Sequence, residues 1–307
     1  MATAVLVSWI GAAAAVADPP DTQIVRTPAG GFEELFAPSS MGPIKLQVQW
    51  AARGGSAALY VLDGLRAPND HSQWTTDTDA LRQFAGDNVT LVFPVGGRSS
   101  FYTDWYRPSS TNNQATTYKW ETFLTRELPA FLEGFGVSRT NNAIVGASMG
   151  GSAALTLAGH HRDQFKFAGS FSGFVHPTFP LWNEAMRAAM VDEGNFNLDD
   201  MWGPVGDPAW NRNDATEQAE LLRGLPIYLW TGNGTPGPLD LPYGVGNTVN
   251  AMGLEAITEI SAEMFRDRAA ALGIAARIDI VNGTHTWPYW QQALATARPM
   301  ILGALGV

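Results

Sequence analysis

Gly146-Ala147-Ser148-Met149-Gly150 stands where a short apolar run, Asn142–Val145, gives way to an Ala- and Leu-rich helical stretch, Gly151–Ala158. A serine held on a tight strand-to-helix turn needs small residues around it, because strand and helix approach closely there. Gly146, Gly150 and Gly151 supply them. The start of the following helix places positive potential beside the serine oxygen and beside any oxyanion that develops on a bound carbonyl. The pattern predicts a nucleophilic serine for acyl transfer, with a serine that only caps a helix as the plainer alternative.

A serine hydroxyl is a weak nucleophile near neutral pH and requires a base, and the chain has five histidines. His71 lies upstream in a polar loop, and His176 directly follows the strand after the elbow. His160 and His161 end the helix that Ser148 begins, roughly 18 Å away at about 1.5 Å per residue. His285, in Asn282-Gly283-Thr284-His285-Thr286-Trp287, sits after a late strand and before the last helix. Enzymes built on such an elbow run Ser, acid, His along the chain, and His285 alone fits that order. The acid stays open between Asp240, Glu255, Glu259, Glu263 and Asp267, and Glu255 with Glu259 at i,i+4 reads equally well as a solvated acidic face.

These residues need a scaffold. Strands are predicted over Ile44–Trp50, Ala57–Leu62, Val89–Val95, Asn142–Gly146, Phe165–Phe171, Pro226–Thr231 and Ala276–Val281. Helices are predicted over Tyr118–Phe135, Met149–His160, Leu254–Leu272 and Pro288–Leu305. Strands alternating with long helices predict an α/β fold with a mostly parallel central sheet covered on both faces. No repeat or Pro/Ser linker divides the chain, so residues 18–307 read as one catalytic domain.

Composition sets the outer limits. The 307 residues carry 29 acidic against 19 basic side chains, a net charge of -10, which disfavours nucleic acid as a partner. With no cysteine, disulfides, thiolate metal sites and thiol nucleophiles are excluded, and neither a metal nor a cofactor is called for. The uncharged run Ala4–Ala17 is too short to span a bilayer and ends in Ala15-Val16-Ala17 before Asp18-Pro19-Pro20. It reads as a secretory signal over residues 1–17, so the expected location is extracellular or the cell envelope, with no transmembrane segment.

Longer motifs carry a resemblance. Phe93–Tyr106 (FPVGGRSSFYTDWY), Thr117–Leu124 (TYKWETFL), Asp200–Pro204 (DMWGP), Leu62–Ala67 (LDGLRA), the elbow itself and Asn282–His285 (NGTH) closely resemble the secreted mycolyltransferases of the antigen 85 family, in the right order, from about residue 25 to the C-terminus. The resemblance implies an α/β-hydrolase fold and a Ser–Glu–His triad moving mycolic acyl groups between trehalose esters and onto cell-wall arabinogalactan. Trehalose mycolates and wall glycans would be the partners of a monomeric enzyme. It selects Glu255 as the acid beside Ser148 and His285, and Leu65 and Met149 as the amides of the oxyanion hole. Asp63, Arg66 and Trp287 would bind the sugar head group; an Arg66–Asp63 ion pair, or burial of Trp287 beside His285, is the structural alternative. A secreted carboxylesterase and a non-catalytic carbohydrate-binding wall protein are the competing functions.

The sequence also departs from that family. Pro108–Ala115 has no cysteine pair, Pro68 replaces a polar residue, and residues 236–253 and Leu81–Asn88 read differently. A silent branch of the family lacks the triad, and the presence of Ser148, Glu255 and His285 argues against it here.

Overall fold

The computed structural model describes residues 27–180, 182–243 and 245–307. The signal-sequence reading, on residues 1–17, lies outside the described residues. One eight-stranded sheet organises the described residues: β1 (Phe32–Ala37), β2 (Ile44–Gln49), β3 (Ala58–Leu62), β4 (Thr90–Pro94), β5 (Asn142–Ala147), β6 (Phe165–Phe171), β7 (Ile227–Gly232) and β8 (Arg277–Val281). Their spatial order is β1-β2-β4-β3-β5-β6-β7-β8. β1, β2 and β4 pair antiparallel, and every later neighbour pair is parallel. This is the mostly parallel α/β sheet the alternation predicted.

The central strands are buried throughout, as strands covered on both faces must be. Along β3 the side chains alternate between two cores. Ala58, Tyr60 and Leu62 join the one built on the elbow helix, Met149–His160; Leu59 and Val61 join the one built on the C-terminal helix, Trp287–Leu305. Parallel register then aligns the C-terminal ends of β3, β5, β6 and β7, the edge where ligands bind in open α/β sheets.

Several elements differ from expectation, these three among them. β1 was not anticipated: Phe32 and Phe36 are exposed and Glu33 and Glu34 interrupt its pattern, as an edge strand with one neighbour tolerates. A helix over Trp182–Gly194 lies in the connection between β6 and β7, its weak amphipathic signal resting on Trp182, Met186 and Met190. The helix expected from Leu254 begins at Val245, across glycines and β-branched residues whose poor helix propensity hid its first turns.

The loop without cysteines is closed by polar contacts. Ser110 donates to Asp200 through its amide at 2.7 Å and its hydroxyl at 2.6 Å, and Asn197 N donates to Ser109 Oγ at 2.9 Å. Asn112 Nδ2 reaches Gly194 O at 2.9 Å, which ties the loop to the end of the Trp182–Gly194 helix. Asp200 is buried, and its own desolvation would raise its pKa, but the Ser110 and Arg107 donors outweigh it and hold the carboxyl below its ordinary range.

Candidate active site

Ser148 sits between β5 and the elbow helix with φ 52° and ψ -119°, a left-handed conformation that a non-glycine residue adopts only when its surroundings enforce it. The enforcement comes from missing side chains. A Cβ on Gly146 would stand 2.4 Å from the Gly150 backbone, and one on Gly150 2.5 Å from Asp63 O. Strand, helix and the β3 loop therefore meet at van der Waals distance only because no side chain separates them. A Cβ on Gly64 would lie 3.6 Å from that of Ser148, so the loop bearing Leu65 runs directly beside the serine.

Leu65 and Met149, whose amides the resemblance assigns to the oxyanion hole, flank Gly64 and Ser148 in the chain. Met149 opens the helix, so its N–H has no carbonyl four residues back to bind. The Leu65 turn is pinned by Ser99 N donating to Leu65 O at 3.0 Å and Ala67 N donating to Gly64 O at 3.2 Å. Phe101 N donates to Met149 Sδ at 3.1 Å and fixes that side chain under the site.

The fold brings Ser148, His285 and Glu255 into one line. His285 Nε2 lies 2.9 Å from Ser148 Oγ, and His285 Nδ1 lies 2.7 Å from Glu255 Oε2. Glu255 is wholly buried on the inner face of the Val245–Ala271 helix rather than on a solvated acidic face. Its other oxygen accepts from Ser172 Oγ at 2.7 Å, Thr231 Oγ1 at 3.1 Å and the Gly232 amide. Three donors satisfy one oxygen of this buried carboxyl group and leave the second free for the imidazole. Trp290 holds Ser172 by an Nε1–H bond of 2.9 Å and packs edge-on against His285, ring centres 4.9 Å apart at 90°.

Ser172, Thr231 and Trp290 were missed from sequence. Ser172, at φ 50°, follows β6 at the same sheet edge as Ser148, and that position was the available signal. The other histidines are engaged elsewhere: His176 with Asp214 at 2.8 Å, His161 with Glu121 at 2.8 Å, His160 with Arg212 O at 2.9 Å and His71 with Asp70 at 2.8 Å.

The three residues assigned to the sugar lie in different settings. Arg66 does not pair with Asp63; its guanidinium joins Asp192 at 2.7 Å and Glu193 at 2.8 Å on the Trp182–Gly194 helix. Trp287 is half-buried, edge-on to Trp74 and Trp290 at 5.3 Å and 4.9 Å. Asp63 points inward, fully buried, with Ser72 Oγ donating at 3.0 Å and one carboxylate oxygen unpartnered.

Burial pushes the Asp63 pKa up to about 7, against the lowering effect of the Ser72 hydroxyl. Folded Asp63 therefore holds its proton to higher pH than in the unfolded chain, whose carboxyl titrates at about 4. Stability from this group is fully present below that value and falls as pH rises toward 7. Unfolding midpoints in denaturant should show a decline over that window in the wild type that Asp63→Asn lacks.

A cleft of about 480 Å³ lies elsewhere, lined by Asp104, Arg126, His161 and Arg212 among others, and none of Ser148, Glu255 or His285 borders it. Among the described residues no cluster of His, Asp or Glu is arranged to hold a metal ion, and no helix is long and apolar enough to cross a membrane.

Sheet order, strained elbow and aligned side chains together define an α/β-hydrolase-type acyl-transfer enzyme. Residues 38–301 match the Esterase family model. The chain is 43% identical to the diacylglycerol acyltransferase/mycolyltransferase Ag85C of Mycobacterium avium, over 94% of this chain and 82% of the relative. It is 43% identical to the enzyme named Ag85B in Mycolicibacterium smegmatis, over 89% and 85%. The crystal structure of Mycobacterium tuberculosis MPT51 (FbpC1) superposes with a TM-score of 0.78 at 30% identity, over 90% of this chain and 100% of that one. FphF of Staphylococcus aureus, a fluorophosphonate-binding serine hydrolase, shares the fold at 15% identity with a TM-score of 0.66, over 90% and 99%. The chain belongs to the antigen 85 family of diacylglycerol acyltransferase/mycolyltransferases.

Proposed function

We propose that the chain is a secreted mycolyltransferase that moves mycolic acyl groups from trehalose monomycolate to trehalose or to cell-wall arabinogalactan through an acyl-enzyme on Ser148. The observation that carries the reading is the unbroken line from Glu255 through His285 to Ser148, at 2.7 and 2.9 Å. In the proposed cycle His285 takes the Ser148 proton as the oxygen attacks the ester carbonyl, while Glu255 fixes the tautomer and stabilises the imidazolium. The Leu65 and Met149 amides hold the oxyanion. Trehalose leaves with the proton from His285; a second sugar hydroxyl, deprotonated by the same imidazole, then takes the acyl group as its bond to Ser148 breaks and His285 returns the proton to Ser148 Oγ.

Arg66 and the half-buried Trp287 supply the sugar-side contacts, Arg66 by exchanging its carboxylate partners for sugar hydroxyls. Asp63 supports the loop from beneath, since its carboxyl is buried. Residues 1–17 serve as the export signal that delivers the enzyme to the envelope.

Purified protein given trehalose monomycolate should yield trehalose dimycolate. Free mycolic acid released faster than transfer at saturating trehalose would instead identify an esterase. Glu255→Gln keeps the shape of the acid but not its charge. It is expected to lower kcat by roughly 10³- to 10⁴-fold with KM little changed, read from steady-state transfer.

A further inference from the structure

We propose that Asp240 is a positioning residue that sets the place of His285, an inference that rests on the triad reading above. The imidazole is aligned by its own contacts only if the backbone that carries it is fixed, and His285 lies in a loop between β8 and the C-terminal helix. Asp240 reaches that loop from the 3-10 turn Pro238–Tyr243, within the stretch where the sequence departs from the family pattern. One carboxylate oxygen accepts from the hydroxyl of Thr284, the residue immediately before His285. The other accepts from Tyr289 Oη at 2.8 Å, one helical turn beyond His285, and from Gly237 N at 2.7 Å. A single carboxylate thus bridges both sides of the base.

The surroundings are shaped for this bridge. Asp240, Thr284 and Tyr289 are all buried. The Tyr289 ring stacks on Trp230, centres 6.0 Å apart at 22°. A Cβ on Gly283 would stand 3.0 Å from the Tyr289 ring, and one on Gly237 2.7 Å from its hydroxyl, so the tyrosine occupies a slot that two glycines leave open. The three groups that hydrogen-bond the Asp240 carboxylate are neutral donors, a hydroxyl, a phenol and an amide. Three bonds converging on one buried carboxyl group fix the direction of each donor, which is what a positioning group requires. Its value lies in geometry: displacement of a catalytic group by about 1 Å can cost about 100-fold in rate.

The test uses the full chain, a fluorophosphonate probe and trehalose monomycolate. Asp240→Asn, which cannot accept from all three donors, is expected to lower the rate of Ser148 labelling and kcat by about 10- to 100-fold, with KM within about twofold. Thr284→Val, which removes one bond and keeps the side-chain shape, should lower kcat by a smaller factor, and the double variant should lose no more than Asp240→Asn alone. The low-field proton resonance of the His285 Nδ1–H should broaden in both variants. Wild-type labelling and kcat per folded molecule in both single variants, with a lowered melting temperature alone, would overturn the proposal, as would multiplying losses in the double variant. Failure of the wild type to label at Ser148 would sink the triad reading instead. The His285 resonance requires no turnover and judges Asp240 separately: an unchanged signal counts against it, a broadened one for it.

Discussion

Alanine at position 148 is expected to abolish mycolyl transfer while leaving substrate binding and folding intact. The hydroxyl is the only part of Ser148 that the proposed chemistry uses, and loss of a serine nucleophile that works as a unit with its base costs on the order of 10⁶ in kcat. Residual acceleration over water, from the amides and from binding, is expected to remain. The measurement is product formation from trehalose monomycolate by wild type and Ser148→Ala side by side; dimycolate formed at comparable rates would remove Ser148 from the mechanism. A companion variant separates chemistry from strain. Ser148→Gly, equally inactive, relieves the φ of 52° that alanine would retain, and its denaturant unfolding should show a gain of about 1 kcal/mol.

The second large effect is on folding. Gly150→Ala places a methyl 2.5 Å from Asp63 O and 2.7 Å from Leu62 O, both backbone atoms of the strand and loop beside the elbow. No side chain can swing aside to admit it, so strand and helix must part, and the expected loss is on the order of 4 kcal/mol or more. A protein with stability of about 5–15 kcal/mol has little margin for that, and the variant should be recovered poorly folded or not at all. Gly303→Ala is the control: it lies inside the C-terminal helix with nothing within 4 Å of the added carbon. It should gain about 0.5–1 kcal/mol by thermal or denaturant unfolding.

Much of this site was legible in the sequence because its signals are local. Ser148 announces itself through glycines two residues either side, and His285 through its place after the last strand. The strands that position them read correctly because a sheet covered on both faces leaves continuous apolar runs. The acid was not legible from spacing, since five carboxylates lie in the relevant segment and only burial and the partners met in the fold distinguish them. Glu255 is enclosed, Asp267 is exposed, and Asp240 is buried but turned toward Thr284 and Tyr289. Family likeness selected Glu255; helix periodicity alone could not. The supports of the acid were invisible for a similar reason. Ser172 and Trp290 meet across 118 residues, and no local pattern records such a contact. Asp63 shows the converse: a motif match indicates which residue is present, but not which way its side chain turns.

The polar closure of the loop around Ser109–Asn113 bears on where and how this chain can fold. A loop tied by serine, asparagine and aspartate needs no oxidant, no isomerase and no particular redox poise to reach its final form. With no thiol anywhere in the sequence, mispaired bridges cannot trap it. Correct folding in a reducing cytoplasm should therefore match folding outside the cell, and thiol reductants should leave both its melting temperature and its activity unchanged.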